Sequence, residues 1–284
     1  MSIDVGSDLI MPNDNSLPTL SVLWVEGGLS YIEHICLKSM LAQGHEVHLY
    51  HYGDVFNVPD GVTLKNAEVI LPRSKLLRHK KTGSYALGAD IFRYELLRKE
   101  KTIWLDADVY CLKPFHWFDG FVFGWEDELT INNAVLGIPS DHRVLDELKD
   151  YYDADILLPP WWSKHKKIRN ILRSLIGMGK TAADAGWGVL GPKAITYFSE
   201  KTGIAGKAQD REVFYPIPYE TAAEIFDPKA DPMRFVSEKS LTIHLWNESI
   251  KDRKKAPPPK GSLMHRLCLE QGLSMKDIKG MLSP

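Results

Sequence analysis

No stretch of the 284-residue sequence approaches 18 consecutive apolar residues, so an apolar spanning helix is not expected. The first 17 residues (MSIDVGSDLIMPNDNSL) are acidic and polar where a secretory leader is basic and then apolar. A cytoplasmic protein is the expectation from both. Cysteine is scarce: Cys36, Cys111 and Cys268 are far apart and form no CxxC pair, which excludes a disulfide framework, a zinc ribbon and a redox dithiol. A formal charge of −2 argues against a dedicated nucleic-acid binder, and no nucleic-acid partner is expected. There is no internal repeat, and the phosphate-binding GxxxxGK[ST] pattern does not occur. The glycine-rich residues 181–191 (TAADAGWGVLG) therefore read as a loop.

What is present is enough apolar material, 44% of residues, for a sizeable core. Residues 19–25 (TLSVLWV) have strand composition and run into the turn signal Glu26-Gly27-Gly28. Near-helical spacing of Ile32, Ile35, Cys36 and Met40 follows, with Gly44 where a C-terminal cap belongs, and then a second strand at 46–50. A strand, helix, strand unit favours parallel pairing and an α/β fold. A helix over 86–99, strands at 103–105, 121–125 and 131–138, a helix capped by Ser140 or Asp141, and a late strand at 241–246 continue the alternation. The expected organisation is a flexible lead at 1–17, a catalytic domain at 18–250, and a basic linker with a helical tail at 251–284.

Basic residues cluster at 73–81, 163–173 and 251–255. The second cluster lies in segment 159–180, where Ile168, Ile171, Leu172, Leu175 and Ile176 keep helical spacing behind Trp161-Trp162. A helix docked on the core with a solvated basic face is one reading. The other is a helix lying in a membrane interface and anchored by the tryptophans, with the protein peripheral at the inner face of the membrane.

The segment at 103–115 (IWLDADVYCLKPF) poses the chemical question. If the strand continues, alternation sends Asp106 and Asp108 to one face, and two like charges there need water, a cation or a basic neighbour. Mg2+ or Mn2+ suits paired carboxylates and diphosphate oxygens together. The preceding helix carries Asp90 and Arg93 three residues apart, and Trp104 stands two positions before the first aspartate.

The ordered set Asp90, Arg93, Trp104, Asp106, Asp108 resembles the DxD region of glycosyltransferases with the GT-A (Rossmann-like) nucleotide-diphospho-sugar transferase fold. The family is the sugar-binding-region family that includes initiating α-1,6-mannosyltransferases, lactosylceramide α-1,4-galactosyltransferases and, more distantly, the clostridial glucosylating toxins. The segments LSVLWVEGG, INNAVLGIP and IHLWN resemble its first strand, sugar-facing strand and C-terminal His-x-Trp segment. One departure is Glu100-Lys101-Thr102 where the family usually has Gly-Gly before the strand.

The resemblance implies a mixed central sheet flanked by helices, and Mn2+ or Mg2+ as cofactor. It also implies a retaining hexosyl transfer from a UDP- or GDP-sugar to a glycan or lipid-linked acceptor, as in surface polysaccharide biosynthesis. By the same resemblance Trp24 stacks on the base, and Asp90 and Arg93 hold the donor sugar. Asp106 touches ribose or sugar and binds metal indirectly, Asp108 binds it directly, and His244 completes the site. Trp246 meets the phosphates, while Asn132 or Asn133 and Asp184 line the sugar and acceptor side. Asp184 is also the candidate for a further catalytic carboxylate beside Asp106 and Asp108. Two other readings compete: a DxD-nucleophile phosphatase, for which no Asp-Asp or GDxxxD segment is found after residue 108, and a non-catalytic nucleotide-sugar or glycan-binding protein on the same fold.

Overall fold

A computed structural model describes residues 17–80, 82–184, 186 and 188–282. The expected lead at 1–17 lies almost wholly outside them. The strands are β1 (Leu20–Leu23), β2 (Gly27–Gly28), β3 (Val47–His51), β4 (Val55–Phe56), β5 (Thr63–Asn66), β6 (Ile103–Leu105), β7 (Val109–Cys111), β8 (Val122–Trp125), β9 (Ile131–Gly137) and β10 (Thr242–His244). The α-helices are α1 (Tyr31–Ala42), α2 (Ala86–Lys99), α3 (Arg143–Tyr152), α4 (Lys164–Ser174), α5 (Pro192–Thr202), α6 (Arg211–Phe214), α7 (Asn247–Ile250), α8 (Leu263–Glu270) and α9 (Met275–Leu282).

Six strands form one sheet in the order β5-β3-β1-β6-β9-β8. The first four are parallel, and β9 runs antiparallel to both β6 and β8, so the sheet is mixed as expected. Residue parity explains the two layers beside it. Ile103 and Leu105 of β6 join one core with Leu37 and Met40 of α1, whereas Trp104 points the other way, into a core with Phe92 of α2 and Leu145 of α3. A third core packs α8 and α9 on α1 through Leu263, Leu267, Cys268 and Ile278. The chain before them reads as a linker by composition, yet Lys254 ion-pairs at 2.9 Å with Glu33 of α1, whose side chain is fully covered. All three cysteines are free and buried. No helix among the described residues is long and apolar enough to cross a membrane.

Several boundaries move for local reasons. α1 starts at Tyr31 because Ser30 and Glu33 form a capping box, and Gly44, at φ +85°, ends its turn in the left-handed region. The cap of α3 is neither Ser140 nor Asp141: the His142 ring accepts from the Val144 amide instead. The strand of β1 stops at Leu23, so Trp24 stands just beyond its carboxyl end.

Helix α4 departs most from the core-docked reading. Its buried residue is Asn170, whose amide donates to the carbonyls of Leu157 and Lys180 while its oxygen accepts from the Lys180 amide. At 3.6 residues per turn Asn170 lies opposite Ile168, Leu172 and Leu175, so the amide faces the protein and the apolar stripe faces outward. Trp161 and Trp162 are half-buried and pack on the core at the base of this helix, Trp161 against the rings of Tyr151 and Tyr197.

Candidate active site

The carboxyl end of β6 carries the two aspartates, though strand alternation is not what brings them together. β6 ends at Leu105, and residues 106–108 form a turn closed by the Val109 amide donating to the Asp106 carbonyl at 3.1 Å. The chain then enters β7, which pairs antiparallel with β10 so that Val109 stands opposite His244. The register sets the imidazole beside the turn. Ligand atoms of Asp106, Asp108 and His244 all lie within 4.8 Å of one another.

Each member is held from outside the trio. Asp106 accepts from the Trp104 indole at 2.8 Å and pairs with Arg93 at 3.0 Å. Asp108 accepts from the Asn247 amide at 2.7 Å and lies 3.4 Å from the His244 ring. That amide is aimed by Trp246, whose φ of +54° puts a non-glycine residue in the left-handed region, a conformation costing about 1–2 kcal/mol. The indole nitrogen of Trp246 donates to the Ile217 carbonyl, and its ring lies 4.0 Å from that of His244. A strained residue wedged between a candidate ligand and the chain that serves it is the pattern of a functional site.

Charges are distributed unevenly. Burial raises the Asp106 carboxyl above its ordinary range, with Arg93 opposing, and nearby Asp108 raises it further. Burial also pushes the Asp108 carboxyl up, but the His244 imidazole and the Asn247 amide overcome it and hold that group low. His244 is raised, because the Asp108 and Asp106 charges outweigh the cost of burying an imidazolium. Its Nδ1 is buried without a hydrogen-bond partner. Two carboxylates and an imidazole that has one unpartnered ring nitrogen, in contact range, make a donor set that fits a divalent cation such as Mg2+ or Mn2+.

Behind the trio runs a second polar layer from α2. Arg93, almost wholly buried, spans Asp90 at 3.4 Å and Asp106 at 3.0 Å, donates to the Asn133 carbonyl, and lies over the Trp104 ring at 4.8 Å. Asn133 donates to Asp90 at 3.0 Å and to the Tyr94 hydroxyl at 3.3 Å. Burial pushes the Asp90 carboxyl up to about 6 despite Arg93 and Asn133. Gly191, immediately before α5, is where a Cβ would lie 2.8 Å from the Asp90 carboxylate. The missing side chain keeps that carboxylate open to the loop.

Asn132 faces the other side of β9. It donates to Glu126 and its oxygen accepts from the Ala134 amide at 2.7 Å. Glu126 was not among the residues singled out from sequence, nor was Tyr215, which accepts from the Val135 amide and packs on His244 at 5.8 Å. An acidic residue directly after the apolar run 121–125, repeating the pattern of β6, was the available signal for Glu126.

Trp24 is half-buried past the end of β1, its indole donating to the Gly27 carbonyl at 3.2 Å. Asp184 stands apart from the trio. Its carboxylate caps a 3-10 turn by accepting from Thr181 and pairs with Lys80 at 2.6 Å. It lines a cleft of about 490 Å3 with Trp161, Trp162, Lys180, Val189 and Lys193. That cleft opens on the loop leading to Gly191.

Residues 183–272 match the model of the alpha 1,4-glycosyltransferase conserved region, a span that includes Asp184, Gly191, Tyr215, His244 and Trp246 but begins well after the two aspartates of the β6–β7 turn. No curated protein sequence matches the chain significantly. Among solved structures, the chain is similar to one titled "PaToxG Glycosyltransferase", at 11% identity and a TM-score of 0.44, covering 94% of this chain and 88% of that one. It is also similar to "WbbM bifunctional glycosytransferase apo structure", at 11% identity and a TM-score of 0.37, covering 92% of this chain and 53% of that one. The matched region carries His244 and Trp246, which stand beside the carboxylates at the end of β6, so this part of the chain is similar to an alpha 1,4-glycosyltransferase region and is set on a mixed sheet flanked by helices.

Proposed function

We propose that the protein transfers a hexose from a UDP- or GDP-sugar to a glycan or lipid-linked acceptor with retention at the anomeric carbon. The working place is the cytoplasm or the inner face of a membrane, in surface polysaccharide assembly. The observation that carries this reading is the convergence of Asp106, Asp108 and His244 at the carboxyl edge of the sheet, backed by the buried Asp90–Arg93–Asn133 layer.

Asp108, His244 and Asp106 would hold Mn2+ or Mg2+ there. Such a cation supplies positive charge to the leaving diphosphate as its bond to the anomeric carbon breaks. The chain's own residues do the rest. Trp24 offers a ring face to the base at the end of β1, and Trp246 borders the diphosphate. Asp90, kept open by Gly191, accepts hydrogen bonds from donor hydroxyls, while Arg93 fixes it relative to Asp106 so that the sugar is oriented before the bond breaks. Trp104 and Arg93 restrain the Asp106 carboxylate from behind, and Asn132 with Asn133 borders the sugar. The cleft at Asp184, walled by Trp161 and Trp162, suits a sugar ring on its way to the anomeric carbon, so Asp184 serves on the acceptor side.

A thermal-shift screen of nucleotide sugars with and without Mn2+, followed by turnover measurements, tests the reading. The expected result is metal-dependent stabilisation by one donor class and transfer or slow hydrolysis of that donor. Hydrolysis of simple phosphate esters without a nucleotide would point to the phosphatase reading, and donor binding without turnover across many acceptors to a non-catalytic one.

A further inference from the structure

Helix α4 exposes a row of large apolar side chains that the site does not use. Ile168, Leu172, Leu175 and Ile176 are 54%, 59%, 77% and 70% exposed, and Met178 in the following turn is 57% exposed. In water such a row is unfavourable, and isolated proteins seldom present so many contiguous large apolar groups. The helix is not loosely attached. Asn170 locks its opposite side to Leu157 and Lys180 through three hydrogen bonds, and Lys167 donates to the Pro160 carbonyl at 2.8 Å. Its Ser163 cap accepts from the Lys166 amide. The apolar stripe is thus held outward by polar contacts that an apolar face seeking the core would not need.

Charge identifies what covers it. Residues 156–183 contain Lys164, Lys166, Lys167, Arg169, Arg173 and Lys180 and not one Asp or Glu, in a chain whose formal charge is −2. Lys164, Arg169 and Arg173 are exposed beside the stripe. A helix of high amphipathicity with cations flanking an exposed apolar edge fits the headgroup region of an anionic bilayer, where the apolar side chains enter the acyl boundary and the cations meet lipid phosphates. Trp161 and Trp162 are not on that edge. They pack at the base of α4 in the cleft shared with Asp184, so the docking edge and the acceptor-side cleft are two sides of one element.

We propose that α4 is an interfacial anchor that seats the enzyme on anionic lipid bilayers, with its Ile168–Leu172–Leu175–Ile176 edge in the membrane and the Trp161–Trp162 cleft at the base of the same helix. This deepens the reading of an enzyme working on a lipid-linked acceptor at a membrane, and part of it rests on that reading.

Co-sedimentation of the full chain with vesicles tests it. Wild type is expected to bind vesicles made of equal parts phosphatidylglycerol and phosphatidylcholine, and to bind pure phosphatidylcholine vesicles at least tenfold more weakly. The triple variant Ile168→Asn, Leu172→Asn, Leu175→Asn is expected to lose binding. The triple variant Lys164→Glu, Arg169→Glu, Arg173→Glu is expected to bind at least about a hundredfold more weakly, since each surface cation contributes about 1 kcal/mol of attraction and its reversal adds repulsion. All six positions are exposed, five on α4 and Leu175 at its C-cap, and both variants should keep wild-type hydrolysis of soluble donor. Absence of wild-type binding to anionic vesicles overturns the proposal, as does equal binding by either variant. A wild-type dimer in light scattering that the asparagine variant converts to monomer overturns it too, assigning the edge to a second copy. Failure of the enzyme reading is seen separately, as absent donor turnover in every variant while vesicle binding is unchanged.

Discussion

The guanidinium of Arg93 lies 3.0 Å from the carboxylate of Asp106, and its other nitrogen lies 3.4 Å from Asp90, so one buried cation ties the aspartate of the β6–β7 turn to the aspartate of α2. Little solvent reaches Arg93, which makes its removal costly twice over. Two carboxylates lose their partner and the Asn133 carbonyl loses a donor. Breaking a buried pair of this kind costs about 3–5 kcal/mol. Arg93→Ala is therefore expected to unfold at lower urea concentration by that free energy, and Arg93→Lys to recover part of it while leaving one of the two carboxylates unserved. A wild-type urea midpoint for Arg93→Ala would show that Arg93 is an ordinary surface partner.

Much of this layer could be read from the chain. Asp90, Arg93 and Trp104 fall on α2 and β6 at spacings set by helix and strand geometry, and α2 begins and ends at the residues expected of it. What sequence could not give was burial. A helix-surface Asp/Arg pair and a buried one have the same spacing, and only the crossing of α2 over Asn133 of β9 separates them. The turn after Leu105 was equally hidden. Period-two reasoning placed both aspartates on one face, and they do converge, but through a tight turn that sends Asp108 to the β7–β10 pair. Glu126 escaped notice because its partner, Asn132, is brought to it by a hairpin. For α4 the stripe was legible and its direction was not. The deciding contact is Asn170, a polar residue whose burial no apolar pattern announces.

Asp90 gives a pH signature. Burial raises its carboxyl from the ordinary value to about 6, so below that pH the group is mainly protonated and cannot accept two hydroxyls as a carboxylate does. Donor affinity is expected to rise as pH increases through about 6 and then level off. The sign for stability is opposite. Because the folded pKa exceeds the unfolded one, ionising Asp90 costs folding free energy as pH rises between about 4 and about 6, and that cost is constant above. Asp90→Asn should remove the limb near pH 6 from a donor-binding profile measured by calorimetry. A profile unchanged by that substitution would mean another group titrates there.

Gly191 keeps one side of the Asp90 carboxylate clear. A Cβ there would stand 2.8 Å from one carboxylate oxygen and 3.0 Å from the other. Neither the backbone before α5 nor the buried carboxylate can move far, and overpacking of this kind costs about 1–3 kcal/mol. Gly191→Ala is expected to raise the KM for donor more than it lowers kcat, the outcome required if Asp90 orients the sugar as proposed. An equal fall in kcat with KM unchanged would place Gly191 outside donor binding.

The trio makes its own prediction without any acceptor. Wild-type protein is expected to gain thermal stability on adding Mn2+ in the presence of nucleoside diphosphate, and to lose that gain with chelator. Asp108→Asn removes a carboxylate held low by His244 and Asn247, and His244→Gln removes the imidazole; each should abolish most of the Mn2+-dependent shift. Asp106→Asn should reduce it less, since that carboxylate is already engaged by Arg93 and the Trp104 indole. Equal shifts in wild type and Asp108→Asn would remove the cation from this site.

Trp24 stands where the parallel strand β1 has just ended, and its ring is half covered by the core and half open. The Gly27 carbonyl receives its indole hydrogen, which fixes the ring plane without using its outer face. Ring planes fixed in this way are suited to stacking on a base, and loss of one such contact costs about 1–3 kcal/mol. Trp24→Ala is therefore expected to weaken binding of nucleoside diphosphate about tenfold to a hundredfold in calorimetry, and Trp24→Phe to retain most of it. The core role of the same residue must be separated from this one. A packing loss lowers the melting temperature of both variants without a change in affinity, whereas stacking lowers affinity even when measured well below the melting temperature. If Trp24→Ala melts early and binds nucleotide normally, the ring is a core side chain and the base lies elsewhere along the sheet edge.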